Sequence, residues 1–83
     1  MAIEAQLRNF ILKNYLFTDD ESFLDDNDSF LEKGIIDSTG IMEVILFLEQ
    51  EFGVRVEDED MVPENLDSVS RIAAFVRRKK AAA

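Results

Sequence analysis

Apolar residues recur at helical spacing from the start of the chain. Ile3, Leu7, Phe10 and Ile11, with Tyr15 at the end, fall on one face, while Glu4, Arg8 and Lys13 lie elsewhere. This pattern predicts a first helix over residues 2–16. A long acidic connection follows, from Thr18 to Asp37, in which Thr18 and Glu21 have the spacing to cap a single helical turn. Phe23, Leu24, Phe30, Leu31, Ile35 and Ile36 punctuate it, so the connection is expected to be pinned over the core. The clearest element runs from Ser38 to Phe52. Ile41, Val44, Ile45, Leu48 and Phe52 form its inward stripe, and Glu43, Glu49, Gln50 and Glu51 point outward. Asp37 or Ser38 is suited to cap its start and Gly53 to stop it. Residues 54–66 read as loop broken by Pro63, with a short helix near Glu59–Val62. A last helix from Ser68 to Lys80 buries Val69, Ile72, Ala73 and Val76. Three main helices and a minor one, without strand alternation, predict an all-α bundle with a long first loop. The terminal Ala81-Ala82-Ala83 adds nothing to the pattern and reads as a remnant outside a single domain of residues 1–80.

Composition narrows what such a bundle can do. An 83-residue domain buries roughly 60% of the surface its unfolded chain exposes, which leaves little room for a deep, dry catalytic cavity. The net charge is −9, and four of the nine bases sit together as Arg77, Arg78, Lys79 and Lys80. Residues 1–76 therefore set five bases against eighteen acids. Such a surface repels nucleic acid and anionic lipid and attracts proteins with basic patches. There is no Cys and no His, so disulfides and thiolate chemistry are excluded, and triads and most general-base schemes are excluded or strained. Glu4, Arg8 and Lys13 interrupt any signal-like stretch, and no apolar run reaches membrane-spanning length. A soluble, cytoplasmic, monomeric protein that is not an enzyme is expected.

Three Asp-Ser pairs occur: Asp28-Ser29, Asp37-Ser38 and Asp67-Ser68. The dipeptide alone signals no more than a helix cap. Only Ser38 combines a preceding Gly34-Ile35-Ile36 with a strongly amphipathic, acidic helix directly after it. There the chain resembles the acyl and peptidyl carrier protein family. The matching stretch is Phe30-Leu31-Glu32-Lys33-Gly34-Ile35-Ile36-Asp37-Ser38, continued by Met42-Glu43-Val44 and by Leu48-Glu49-Gln50-Glu51-Phe52-Gly53. Asn65-Leu66-Asp67-Ser68-Val69 matches the start of the family's last helix, and the likeness covers residues 3–78.

The resemblance implies that Ser38 takes a covalent 4′-phosphopantetheine from coenzyme A, through a phosphopantetheinyl transferase with Mg²⁺. The arm would carry acyl, malonyl-type or aminoacyl groups as thioesters. A serine at a helix N-terminus suits this, because the free N–H groups and the positive dipole end favour an anion, and the arm supplies the thiol that the chain lacks. Asp37 would orient the transferase and its metal. Glu43, Glu49 and Glu51 would form a docking face for that transferase, for an acyl- or aminoacyl-loading ligase and for downstream acyl-processing enzymes. Met42 and Leu46 would be the apolar centre of that contact, whereas Phe47 is expected to fold under the long loop. Two positions depart from housekeeping fatty-acid carriers: Thr39 stands where leucine is common, and Gly40 where an acid is common. They point to a specialised lipid or secondary-metabolite pathway, with housekeeping fatty-acid synthesis as the alternative.

Other functions fit less well. Asp25, Asn27 and Ser29 alternate like the oxygen ligands of a calcium loop, but Phe30 occupies the required glycine position and Ile36 the twelfth position. The many helix carboxylates are solvated, which argues against a carboxylate-pair hydrolase. An unmodified helical interaction module would gain no mass when exposed to a transferase and coenzyme A. Cargo and loading enzyme stay open at the level of sequence.

Overall fold

Asp37 and Gly53 bracket the longest helix, as the sequence predicts. In the computed structural model, which describes residues 3–82 apart from the side chains of Glu21, Ser38 and Ala82, helix α2 spans Ser38–Phe52. The Asp37 carboxylate accepts the Gly40 N–H at 2.7 Å, satisfying one of the orphan donors of the first turn. Gly53 ends the helix at φ 68°, a left-handed conformation that a glycine adopts without a Cβ penalty, and its N–H reaches Glu49 O. Before it, α1 covers Ile3–Ile11 and continues as a π-helical turn over Leu12–Leu16. Residue 2, expected in this helix, and Ala83 lie outside the described residues.

The π turn changes the predicted face. Leu7 and Ile11 are fully buried as expected, but the wider turn also buries Leu12, while Ile3, Phe10 and Tyr15 pack against the core only in part. The N–H groups of Phe17 and Thr18 both return to Leu12 O, and Phe17 exits at φ 53° with its ring in solvent.

The long connection is stitched down. Its expected turn exists as a 3₁₀ helix over Glu21–Phe23, but Thr18 does not cap it in the expected way. Thr18 Oγ1 accepts the N–H of Asp20, and Asp20 in turn accepts the N–H of Ser22. Leu24, Phe30 and Ile36 are buried and Ile35 is half-buried. Phe23 and Leu31 were expected to help pin the segment, yet they are 64% and 61% exposed. Backbone hydrogen bonds supply the hold instead: Phe30 N donates to Asp67 O at 2.8 Å and Ser70 N to Asp26 O at 2.9 Å.

Pro63 starts a helix and does not merely break a loop. A 3₁₀ turn covers Asp58–Asp60, and α3 covers Pro63–Leu66 with the proline in its first turn, where the missing N–H would have no partner anyway. Helix α4 runs over Val69–Ala82, so the first two of the terminal alanines continue it. Val69, Ile72, Ala73 and Val76 are fully buried as predicted, joined by Phe75 and, beyond Gly53, by Val54. Phe10 against Phe47 and Tyr15 against Gly40 set α1 antiparallel to α2. Arg77 on Glu4 and the link from Arg8 through Asp26 to Ser70 set α1 antiparallel to α4. The fold is all-helical, with no strand among the described residues.

The basic end of α4 does more than complement the helix dipole. Arg77 reaches Glu4 of α1, Arg78 Nη2 donates to Asn65 Oδ1 at 2.7 Å, and Lys79 Nζ lies 2.6 Å from Asp60 Oδ2. Three of the four clustered bases thus tie the end of the chain to α1, to α3 and to the turn before it.

Candidate functional site

The first turn of α2 sits where the end of α1 and the segment before α2 converge. Ser38 is the first helical residue; its side chain lies outside the described part of the structure. Asp37, the N-cap, and Thr39 are exposed, so the turn faces solvent. By helix geometry the N–H groups of Ser38 and Thr39 have no intrahelical acceptor, and they stand at the positive end of a fifteen-residue helix. That arrangement accommodates a phosphodiester.

The other two Asp-Ser pairs are committed to internal structure. Ser29 donates its hydroxyl to the Asp67 carboxylate, which also accepts Leu31 N at 3.1 Å, while Ser29 Oγ accepts Glu32 N at 3.2 Å. Ser68 is buried and caps α4, accepting Arg71 N at 3.1 Å. Asp28 accepts Asp25 N and pairs with Lys33. The oxygens of the calcium-like stretch are spent in the same way: Asp25 accepts Asn27 N, and Asn27 accepts the Ser70 hydroxyl. No group of side chains suited to hold a metal ion occurs among the described residues.

Two hollows flank the start of α2. The first, about 190 Å³, is almost wholly apolar and lies between α2, α3 and the loop before α2, lined by Phe30, Ile36, Ile41, Met61, Val62 and Leu66. Ile41, expected to be tightly packed, is half-buried on its edge. The second is shallower and mixed in character, with Tyr15, Ile35, Thr39 and Glu43 around Gly40. Here the Tyr15 hydroxyl donates to Glu43 Oε2 at 2.9 Å, with Gly40 O a second acceptor 3.0 Å away. Burial of the ring, then the hydrogen bond to Glu43 and the negative charge of Glu43 and Asp37, push the phenol up to about 12.

Along the outer side of α2 the structure assembles most of the predicted docking residues. Met42 and Leu46 share a face and are 50% and 55% exposed; Glu43 is exposed next to Met42 in the chain, and Glu51 is exposed too but lies well round the helix from both apolar residues. Glu49 is only half available, because its carboxylate accepts Val56 N at 3.2 Å. Phe47 does not fold under the long loop. It stacks on Phe10 of α1 at 4.2 Å between ring centres and meets Phe52 edge-on at 5.9 Å. Aromatic surface on α1 outcompetes the loop for it. Sequence reasoning missed the part played by Tyr15 and Gly40. A lone glycine in the first turn of an apolar helix was the available signal of close approach.

The comparisons with known proteins agree with this arrangement. A family model described as "Phosphopantetheine attachment site" matches residues 11–76. A protein named probable acyl carrier protein PigG, from Serratia sp., is 32% identical over 79 residues, which covers 95% of this chain and 90% of that protein. The D-alanyl carrier protein of Abiotrophia defectiva is 31% identical over 65 residues, 77% of this chain and 82% of that protein. No helix among the described residues is long and apolar enough to cross a membrane. The chain therefore belongs to the phosphopantetheine-attachment family of carrier proteins, non-catalytic helical domains whose cofactor is a covalently bound 4′-phosphopantetheine.

Proposed function

We propose that Ser38 is the attachment residue, and that this carrier holds a small acyl or aminoacyl group for a dedicated biosynthetic pathway. The observation that carries the assignment is the contrast among the three Asp-Ser pairs. The Ser29 and Ser68 hydroxyls are engaged in loop and cap hydrogen bonds, whereas at Asp37-Ser38 the cap is made by the aspartate and the serine heads a helix N-terminus between the exposed Asp37 and Thr39. When bound, the arm supplies a mobile thiol that holds cargo as a thioester. The backbone N–H groups of Ser38 and Thr39 favour its phosphodiester, and the Asp37 carboxylate beside them adds a ligand for the cation that accompanies the transferase. Met42, Glu43 and Leu46, with Glu49 in part, present an acidic and apolar surface to partners with basic patches (the transferase, a loading ligase and the enzymes that use the cargo), and Glu51 adds a docking acid on the adjoining side of the helix end. We place this exchange in the cytoplasm.

The apolar hollow next to Asp37, about 190 Å³ and open to solvent, has room for a small group, since an engineered cavity of about 150 Å³ is enough for benzene. One relative is named for D-alanine, a small aminoacyl cargo, and the other for an acyl group of unstated size. The test offers apo protein to a phosphopantetheinyl transferase, coenzyme A and Mg²⁺ and follows intact mass. Unmodified protein should gain the arm and Ser38→Ala should not. Holo protein is then offered to adenylating ligases and, separately, to fatty-acid elongation enzymes. Selective loading by one ligase supports the cargo assignment. Efficient support of long-chain synthesis overturns it.

A further inference from the structure

The glycine that departs from the family pattern has a specific neighbour. A Cβ built on Gly40 would stand 3.0 Å from Ile36 Cγ2, 3.1 Å from Tyr15 Cε1 and 3.3 Å from Asp37 Oδ1. A side chain at position 40 therefore meets the tyrosine ring, the loop before α2 and the helix cap at once. Gly40 is also buried, between an exposed Thr39 and a half-buried Ile41. The ring that crowds it comes from the π turn at the end of α1, and the same ring places its hydroxyl against Glu43. Glu43 is exposed, and Tyr15 is the partner of its carboxylate among the described residues.

We infer that Tyr15 and Gly40 are a matched pair that sets where the docking acid sits: the ring occupies the space an acidic side chain at position 40 would need, and the hydroxyl holds Glu43 in its place. Tyr15 is a positioning residue, acting through Glu43. The inference rests on the proposed attachment at Ser38 and on α2 as the docking face. Its consequence is geometric. The acid lies five residues beyond Ser38, about 7.5 Å along the helix axis, where an acid at position 40 would lie about 3 Å away. The fitting partner carries its arginine or lysine correspondingly further from the residue it modifies. Fixing the carboxylate in advance also spares the partner the ordering of a flexible side chain.

The test measures initial rates of arm transfer, by intact mass with a transferase, coenzyme A and Mg²⁺, for the unmodified protein, Tyr15→Phe, Glu43→Gln and the double variant at low and high salt. Each single variant should raise KM about fivefold with kcat unchanged. The double variant should be no worse than Glu43→Gln, and high salt should erase the differences. The chain has one Tyr and no Trp, so absorbance titration of the phenol gives a second readout. The phenol, pushed up to about 12 first by burial of the ring and then by Glu43, should fall only part of the way toward the ordinary 10.0 in Glu43→Gln, where the burial remains. A normal KM for Tyr15→Phe beside a raised KM for Glu43→Gln would overturn the positioning role and leave the docking acid standing. A normal KM for Glu43→Gln removes the docking face and the inference with it. Failure of the attachment reading shows separately, as mass gained by Ser38→Ala.

Discussion

Arg77 grips Glu4 with both arms of its guanidinium, each nitrogen 2.7 Å from a carboxylate oxygen, and so closes the later turns of α4 onto the first turn of α1. The hydrogen bonds from Arg77, ahead of a backbone hydrogen bond, hold Glu4 below its ordinary 4.5. Lys79 leads in holding Asp60 below its ordinary 3.8. With folded values depressed, the unfolded chain binds more protons across this window. The stabilisation is therefore complete above the ordinary values and is lost as pH falls through the folded ones. Arg77→Met should melt below the unmodified protein at neutral pH, and the gap should close on acidification below about pH 4.5. Circular dichroism melts across that range check it. A gap unchanged at low pH would assign Arg77's contribution to its packed stem.

Ser29 and Ser68 should matter for stability and not for modification. Ser29→Ala removes a donor to Asp67 and an acceptor for Glu32 N, and is expected to destabilise by about 1–2 kcal/mol. Ser68→Ala removes the cap of α4, worth ~1 kcal/mol. Urea denaturation gives the stabilities and intact mass the modification. Loss of the arm from either variant while folded would show that these serines reach the chemistry.

Charge reversal on α2 should separate docking from folding. Glu43→Lys with Glu49→Lys should slow arm transfer mainly through association, and raised salt should slow the unmodified protein too. Glu49→Lys should lose stability as well, because Val56 N loses its acceptor. Stopped-flow association rates at several salt concentrations decide it. Rates indifferent to both changes would move docking away from α2.

At position 40, steric crowding should outweigh helix propensity. Alanine favours a helix over glycine by about 1 kcal/mol in a helix interior and by less near an end. Here its Cβ would press on Ile36 and Tyr15, and overpacking typically costs about 1–3 kcal/mol. Gly40→Ala is expected to destabilise, and Tyr15→Leu to recover part of that loss in the double variant. Chemical denaturation of the four proteins measures the coupling, and a stabilised Gly40→Ala would refute the crowding.

Helix α2 was legible in the sequence because its punctuation is local: Asp37 supplies the cap, Gly53 the stop, and neither depends on distant contacts. The stripe of Val69, Ile72, Ala73 and Val76 was legible for the same reason, its period being fixed within the helix. Leu12 escaped because a π turn breaks the period that the reading assumed. Phe75 escaped because α4 is covered over a wider arc than one stripe. Pro63 was read by its power to break helices, although it also suits a helix start. At the site, the special frame of Ser38 could be read from its neighbours in sequence. The Tyr15 ring over Gly40 could not, since twenty-five residues separate the two and only the antiparallel packing of α1 and α2 brings them together.

The stitch that fastens the long connection to the start of α4 joins Ser29 to Asp67, thirty-eight residues apart, and Asn27 to Ser70, forty-three apart. Closing loops of that length carries an entropy penalty that no helix turn incurs. Helices α1, α2 and α4 draw their hydrogen bonds locally and can form early, whereas the stitch repays its closure only after α4 is docked. The connection is thus expected to order late on refolding and to loosen early, which hydrogen exchange along residues 24–36 would check. The segment leading into the Ser38 turn shares that late fastening, whereas the turn itself, capped locally by Asp37, can take its form before residues 67–70 are in place.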